Sequence, residues 1–131
     1  MLSKIILQLL KILWIDDNAI NNVSLVEYFK KADYKVDVVS DNQTALDFMK
    51  KNNYDIIITD ITRNNKKESG IDLLKNIAVG NNKNKVIIYT SPLSEKKYAK
   101  QIMAMGYTKI FTKAADLVNA VDKRQYRQSS N

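Results

Sequence analysis

The sequence predicts an α/β fold in which helices cover both faces of a parallel sheet of five strands. Two observations indicate this class: five short runs rich in Ile and Val recur along the chain, and segments with helical spacing separate them. Continuous apolar runs are typical of strands that are buried on both faces, as in parallel sheets. The pattern therefore predicts a (βα)₅ domain, a doubly wound open sheet with right-handed crossovers.

Each repeating unit of the sequence begins with a predicted strand. The strands are Ile12–Ile15, Val36–Val39, Asp55–Thr59, Val86–Thr90 and Lys109–Thr112. Each strand is followed by a segment whose apolar residues recur at helical spacing, so that one face of the helix is apolar. These residues are Val23, Val26 and Phe29; Ala45, Phe48 and Met49; Ile71, Leu74 and Ile77; Tyr98, Ile102 and Met105; and Leu117, Val118 and Val121.

Residues with special backbone roles mark the ends of the predicted helices. Gly80 and Gly106 follow the third and fourth helices, where glycine is favoured at the C-terminus. Ser40 and Asp41 are predicted to cap the second helix. Ser94 is predicted to cap the fourth.

The composition fits a single ordered domain and restricts its chemistry. The chain has 131 residues, of which 45% are hydrophobic and 27% charged, enough for one compact core. It contains no Cys and no His, which excludes thiol nucleophiles, disulfides, imidazole bases and zinc sites of the Cys/His type. Any metal must be held by oxygen, which favours Mg²⁺, Ca²⁺ or Mn²⁺.

The termini and the net charge add little to the functional prediction. Residues 1–10 form an apolar extension that Lys4 and Gln8 interrupt; it is too short and too charged to span a bilayer, and it lacks the features of a signal peptide. We therefore expect a cytoplasmic protein, with one domain over residues 11–124 and a disordered tail over residues 125–131. The formal charge is +7, but the lysines are scattered, which favours a solvated surface over nucleic-acid binding.

Charged and hydroxyl residues follow four of the five strands. Asp16 and Asp17 come after the first strand, and Asp60 after the third. Thr90 ends the fourth strand, and Lys113 follows the fifth. Because the carboxyl ends of parallel strands meet at one edge, these side chains are expected to converge. Crowded carboxylates repel one another unless they share a cation, so the set predicts a divalent metal, Mg²⁺ for a phosphate substrate.

The same set of residues can transfer a phosphoryl group. A carboxylate of Asp60 can attack phosphorus in line, while Mg²⁺, Lys113 and the Thr90 hydroxyl neutralise charge on the phosphoryl oxygens. Taken singly, each residue also has a structural explanation; Asp16 and Asp17, for example, fit a helix cap equally well. Their joint placement at the strand ends favours a single site.

Five sequence motifs carry a resemblance to a known family. They are KILWIDDN, YDIIITDI, GIDLL, VIIYTS and FTK, in this order. Together they resemble the receiver domains of two-component response regulators, over about Lys11 to Lys123. The resemblance implies a flavodoxin-like sheet with strand order 2-1-3-4-5, as in chemotaxis regulators.

The resemblance also implies a role for each residue of the metal site. Asp60 matches the phosphorylated aspartate, Asp17 the direct Mg²⁺ ligand, and Asp16 the acidic partner that reaches the metal through water. Thr62 matches the position whose backbone carbonyl completes the metal site. On this resemblance Mg²⁺ is the expected cofactor.

Three departures from the family pattern affect the remaining residues. Thr90 matches the hydroxyl residue that follows the phosphoryl group, and Lys113 the lysine that bridges to it. Ile110 stands where the family has the aromatic residue that moves on activation, and Ala114 where a proline follows the lysine. The loop Asp60–Gly70 is about two residues longer than in typical members and lacks the usual proline.

The resemblance implies a signalling domain rather than an enzyme. It would accept a phosphoryl group from a phosphohistidine on a sensor histidine kinase or phosphotransfer protein, act on an unknown downstream protein, and stand alone without a fused output domain. Its own catalysis would be limited to phosphoryl uptake and slow hydrolysis. The alternative is a degenerate receiver that serves as a phosphorylation-independent interaction module, and a homodimer stays open. A phosphatase of similar topology is disfavoured because Thr62 stands where such enzymes place a second acid.

Overall fold

The computed structural model describes residues 10–18, 22–62 and 69–130, with side chains as far as Lys123. Within these residues, five parallel strands form one sheet in the order β2-β1-β3-β4-β5. The strands are β1 (Lys11–Ile15), β2 (Lys35–Val39), β3 (Ile56–Thr59), β4 (Val86–Tyr89) and β5 (Ile110–Phe111). The predicted fold class and strand order are confirmed.

A helix follows each strand, as the apolar spacing predicts. The helices are α1 (Val23–Lys31), α2 (Asn42–Lys51), α3 (Gly70–Ala78), α4 (Pro92–Ala104) and α5 (Ala114–Ser130). A short 3₁₀ turn, Lys83–Lys85, precedes β4. Because every strand is parallel to its neighbours, all five strands end at the same edge of the sheet, which is where polar groups can meet.

The sheet separates two apolar cores. Helices α1 and α5 cover one face, and α2, α3 and α4 cover the other. The first core includes Ile12, Trp14, Phe29, Ile58 and Leu117. The second includes Leu13, Ile57, Leu74, Ile88 and Ile102. Each of these ten side chains is at most 1% exposed, and burial of such a side chain contributes about 1.5–3 kcal/mol. Packing in the two cores holds the central strands in place, and the polar residues lie at the carboxyl ends of these strands.

The ends of the strands differ slightly from the predicted ones. Asp55 lies just before β3, where its carboxylate accepts a hydrogen bond from the Lys11 backbone N–H at 2.7 Å and its own N–H donates to the Lys11 carbonyl at 2.9 Å. Thr90 and Thr112 lie just beyond β4 and β5. Both threonines therefore lie where the loops at the carboxyl edge begin.

Side-chain caps start three of the helices. Of the two predicted caps of α2, Asp41 is the N-cap and Ser40 is not; Asp41 accepts a hydrogen bond from the Thr44 N–H at 2.7 Å. The predicted cap of α4 is wrong: Ser91, not Ser94, caps this helix, and the Ser94 N–H donates to the Ser91 hydroxyl at 3.1 Å. Pro92 explains the earlier start, because the first helical position needs no backbone donor.

Glycine follows two of the helices, as predicted. Gly106, directly after the C-cap Met105 of α4, has φ of +99° and therefore lies in the left-handed region that favours glycine. Gly80 donates its N–H to the Ile77 carbonyl at 3.1 Å and closes the last turn of α3.

The two ends of the chain lie partly outside the described residues. The predicted extension lies almost entirely outside the described residues, since only Leu10 belongs to them. Residues 125–131 were predicted to be a disordered tail; residues 125–130 have a helical backbone in α5, and no Gly or Pro interrupts the sequence there. In the part of the chain described here, every helix is too short or too polar to cross a membrane.

Candidate metal centre

A cavity of about 360 Å³ opens at the carboxyl edge of the sheet. Its walls carry carboxylates, amides, hydroxyls and two aromatic rings. The lining residues are Trp14, Asp16, Asp17, Asn18, Asn22, Ile58, Thr59, Asp60, Thr62, Tyr89, Thr90, Ser91 and Thr112. All of them come from the ends of β1, β3, β4 and β5 or the loops that follow these strands, apart from Asn22, which precedes α1.

Three carboxylates meet in this cavity. Asp16, Asp17 and Asp60 each offer an oxygen within 4.8 Å of the others. The register explains the meeting: Ile15 and Thr59 are paired across β1 and β3, so the residues that follow them lie side by side. Two unit charges 4.8 Å apart repel by about 3 kcal/mol at an effective dielectric constant of about 20. A bound divalent cation would relieve this repulsion.

Asp16 is held by backbone and side-chain donors. It is buried, with 5% of its surface exposed, and its backbone N–H donates to the Val39 carbonyl at 3.0 Å. One carboxylate oxygen accepts the Asn18 N–H at 2.8 Å, and the other accepts the side-chain amide of Asn22. The orientation of this carboxylate is therefore fixed.

Asp60 is supported through its backbone. The hydroxyl of Thr59, which is fully buried, donates to the Asp60 carbonyl at 3.0 Å. The Gly70 N–H donates to the Ile61 carbonyl at 2.8 Å, so that the start of α3 lies directly against this segment. The backbone that presents the Asp60 side chain is thus held from both β3 and α3.

Both predicted threonines line the cavity. Thr90 is buried, and its N–H donates to the Phe111 carbonyl at 3.0 Å, which ties the end of β4 to β5. Thr62 is exposed on the loop after β3. The predicted long loop lies mostly outside the described residues, since positions 63–68 do not belong to them.

Lys113 is at the same edge of the sheet but does not line the cavity. Its side chain is exposed, and its carbonyl accepts the N–H groups of Asp116 and Leu117, both at 3.1 Å, at the start of α5. In the described part of the chain no peptide bond is cis, so the Lys113–Ala114 bond is trans. Of the predicted site residues, Lys113 is the one that does not line the cavity.

Two neighbouring residues of β5 face opposite cores, and the resemblance to receiver domains implies an aromatic residue at the first of them, Ile110. Ile110 packs against the core under α2, α3 and α4, whereas Phe111 packs against the opposite core. Phe111 is paired with Tyr89 across β4 and β5. The aromatic ring at this end of β5 therefore lies on the face covered by α1 and α5.

Eight residues that line the cavity were not predicted as site residues, and three of them matter most to the carboxylates and the cavity wall. Asn22 reaches Asp16 from the start of α1, and Thr59 supports Asp60 from inside β3. Trp14 was predicted to be core; it is 1% exposed and also forms part of the cavity wall. Of these three residues, only Asn22 has a recognisable feature in the sequence: it is a residue type that favours helix N-termini, and it stands directly before an apolar helical segment.

The chain matches the family model "response regulator receiver domain" over residues 12–123. It belongs to the response regulator receiver domain family. The match covers every described residue of the cavity, so the receiver assignment and the carboxylate cluster concern the same part of the chain.

Solved receiver structures have the same fold. The receiver domain of a Francisella response regulator is 26% identical, with TM-score 0.74, covering 90% of this chain and 98% of that one. Chemotaxis response regulator CheY4 of Vibrio cholerae is 23% identical, with TM-score 0.73 and coverage of 89% and 99%. TrrA of Thermotoga maritima, solved in complex with Mg²⁺-BeF, is 23% identical, with TM-score 0.70 and coverage of 88% and 99%. No curated protein sequence matches the chain.

Proposed function

We propose that this receiver domain accepts a phosphoryl group on Asp60 in a reaction that requires Mg²⁺. The observation that carries the proposal is the meeting of Asp16, Asp17 and Asp60 within 4.8 Å at the carboxyl edge of the sheet. Two further facts support it. The chain belongs to the receiver family, and TrrA, which shares the fold, was solved with Mg²⁺-BeF.

The donor set fits Mg²⁺. All the candidate ligands are oxygens: the carboxylates of Asp17 and Asp60 and the backbone carbonyl of Thr62, with Asp16 acting through water. The three carboxylate oxygens lie within 4.8 Å of one another, close enough to share one divalent cation directly or through water. When bound, the ion would supply positive charge to the phosphoryl oxygens.

The transfer step uses Asp60 as the nucleophile. A carboxylate oxygen of Asp60 attacks phosphorus and forms an O–P bond, while the P–N bond of the phosphohistidine breaks. The bonding electron pair goes to the imidazole nitrogen, which takes a proton from water. Thr90, buried in the cavity wall, donates its hydroxyl hydrogen to a phosphoryl oxygen. Lys113 turns from its exposed position to meet the new negative charge.

The partners follow from the same chemistry. A phosphohistidine on a sensor histidine kinase or a phosphotransfer protein is the donor, and a further protein responds to the phosphorylated form. The protein acts as a signalling domain and has no substrate other than the phosphodonor and the water that hydrolyses the acyl phosphate. Its cytoplasmic location and its stand-alone arrangement stay predictions from the sequence.

A small phosphodonor tests the proposal. We expect that acetyl phosphate with Mg²⁺ adds one phosphoryl group, seen by intact-protein mass spectrometry, and that EDTA abolishes the addition. Asp60→Asn should prevent the addition, whereas Asp47→Asn, at a half-buried position on α2 that does not line the cavity, should not. No addition to the wild-type chain under saturating donor and Mg²⁺ would refute the proposed function.

A degenerate receiver that binds partners without phosphorylation is the second candidate. The exposure of Lys113 and the aliphatic residue Ile110 on β5 favour it. Trp14 distinguishes the two candidates, because it lines the same cavity as the carboxylates. A functional site should change Trp14 fluorescence when Mg²⁺ is added, and Asp17→Asn should remove that change. A wild-type signal that does not respond to Mg²⁺ would favour the degenerate receiver.

A further inference from the structure

We propose that Asn22 is a positioning residue of the metal centre: its side-chain amide holds the Asp16 carboxylate in the orientation that the Mg²⁺ site requires. The inference rests on the proposed function. Asn22 lies six positions beyond Asp16, at the start of α1, and it lines the same cavity. It lies outside the five sequence motifs that resemble receiver domains.

Two donors hold the Asp16 carboxylate, one on each oxygen. The side-chain nitrogen of Asn22 donates to one carboxylate oxygen, and the Asn18 backbone N–H donates to the other at 2.8 Å. Asp16 is 5% exposed, so few water molecules can replace these donors. A buried carboxylate with a donor on each oxygen has its orientation fixed. Each oxygen of Asp16 already accepts one hydrogen bond, so only its remaining lone pairs can face the metal. This arrangement suits an interaction with the metal through a water molecule.

Asn22 stands at the N-cap position of α1 but does not cap the helix with its side chain. Asn is among the residues that best cap a helix, because its side-chain oxygen can accept a backbone N–H of the first turn. The caps of α2, α3 and α4, namely Asp41, Ser69 and Ser91, make this bond from an extended backbone. Asn22 does not: it has φ of −119° and ψ of 14°, and its side chain makes no cap bond. Its amide is directed to Asp16 instead.

A role limited to the helix is therefore a poor explanation for Asn22. If its function were to start α1, the side chain would accept the N–H of Leu25 or Ser24, as the equivalent groups do in the other helices. The observed bond connects α1 to the carboxylate cluster. Groups that orient metal ligands from the outside change metal affinity by about 10-fold to 100-fold. Because Asn22 acts through Asp16, we expect an effect near the lower figure.

Asn22→Ser separates positioning from capping. Serine caps helices as well as asparagine does, but its hydroxyl is one bond shorter and lacks the amide that reaches Asp16. We expect the Mg²⁺ dissociation constant, measured by calorimetry, to rise about tenfold in this variant. The helix content without Mg²⁺, measured by circular dichroism, should match that of the wild type, because serine keeps the cap. The rate of phosphorylation by acetyl phosphate should fall at low Mg²⁺ and return to the wild-type rate at saturating Mg²⁺.

The matched control is Asn52→Ser. Asn52 also donates its side-chain amide at a helix end, to the Phe48 carbonyl at 3.1 Å, but it lies at the C-terminus of α2 and does not line the cavity. Its substitution should leave the Mg²⁺ affinity unchanged. If Asn22→Ser binds Mg²⁺ as tightly as the wild type, the inference is overturned and the proposed function stands. If the wild type itself binds no Mg²⁺, the proposed function fails, and the inference fails with it.

Discussion

Gly70 lies directly against the backbone of Asp60. A Cβ atom at position 70 would come within 2.2 Å of the Asp60 carbonyl oxygen and 2.7 Å of the Ile61 Cα atom. The Gly70 N–H also donates to the Ile61 carbonyl. The first residue of α3 therefore has no room for a side chain, because it packs on the segment that presents the Asp60 carboxylate.

Gly70→Ala should destabilise the domain and disturb the metal centre together. The added methyl group meets backbone atoms that cannot turn aside, so we expect a loss of about 2–3 kcal/mol in the free energy of unfolding by urea. The Mg²⁺ affinity should fall as well, because the Asp60 backbone must shift. Gly80→Ala is the control: its nearest neighbour would be 3.8 Å away, and its effect should stay within about 1 kcal/mol. Equal stabilities of the two variants would contradict this account of Gly70.

Asp41 should stabilise the domain in a pH-dependent way. The backbone N–H and the hydroxyl of Thr44, which both donate to its carboxylate, hold the pKa of Asp41 below its usual value. The charged cap therefore contributes fully above about pH 4 and is lost as the pH falls through the lowered pKa. Asp41→Ala should cost about 1 kcal/mol at neutral pH. The difference from wild type should shrink at about pH 3, as measured by urea unfolding at both pH values.

Asp41→Asn is the control for this pH dependence. Asn caps helices nearly as well as Asp and does not titrate. Its stability at neutral pH should lie close to that of the wild type, and its difference from Asp41→Ala should not change between neutral pH and about pH 3. A difference between wild type and Asp41→Ala that is constant over this range would be inconsistent with a titrating cap.

Ionisation of Tyr107 should destabilise the folded state at alkaline pH. Burial raises the pKa of Tyr107 to about 12, and its hydroxyl donates to the Leu74 carbonyl in α3. Because the folded pKa is above the unfolded value, the contribution of Tyr107 is complete below about pH 10 and is lost as the pH rises toward 12. Tyr107→Phe should cost about 1 kcal/mol at neutral pH, and its difference from wild type should narrow over that alkaline range.

Tyr28→Phe is the control for loss of a phenol, since Tyr28 is 45% exposed. At neutral pH it should change the free energy of unfolding by less than about 0.5 kcal/mol. If Tyr107→Phe is as harmless as this control, the Tyr107 hydroxyl does not stabilise α3.

Lys113→Ala should separate metal binding from phosphoryl transfer. The Lys113 side chain is exposed and does not line the cavity, so the stability and the Mg²⁺ affinity should not change. The rate of phosphorylation by acetyl phosphate should fall by about a hundredfold, because a positive charge that meets the phosphoryl oxygens is removed. Lys100→Ala, a substitution of another exposed lysine, on α4, is the control. An unchanged rate in Lys113→Ala would exclude this lysine from the transfer step.

The sequence was sufficient to predict the fold and the meeting of the carboxylates. Apolar runs and helical spacing identify the strands and helices, because burial of these residues decides where each element lies. Once the strands are parallel, Asp16, Asp17 and Asp60 must lie at one edge. The structure brings their oxygens within 4.8 Å, while their roles in binding metal and phosphate stay predictions.

The details that sequence analysis missed depend on contacts between distant segments or on neighbouring caps. The Asn22 amide donates to Asp16 across six positions of the sequence, a contact that no helical or strand spacing predicts. The cap of α4 depends on a competition between Ser91 and Ser94 that Pro92 decides. The direction of the Lys113 side chain, which is exposed, is not fixed by any apolar pattern.

Trapping the acyl phosphate tests the central claim most directly. Borohydride reduces an aspartyl phosphate to homoserine, so the modified residue can be found by peptide mass spectrometry after treatment with acetyl phosphate and Mg²⁺. We predict homoserine at position 60, and its absence when Mg²⁺ is chelated. Homoserine at another aspartate, or a wild-type chain in which position 60 is never converted, would contradict the assignment of Asp60 as the phosphoryl acceptor.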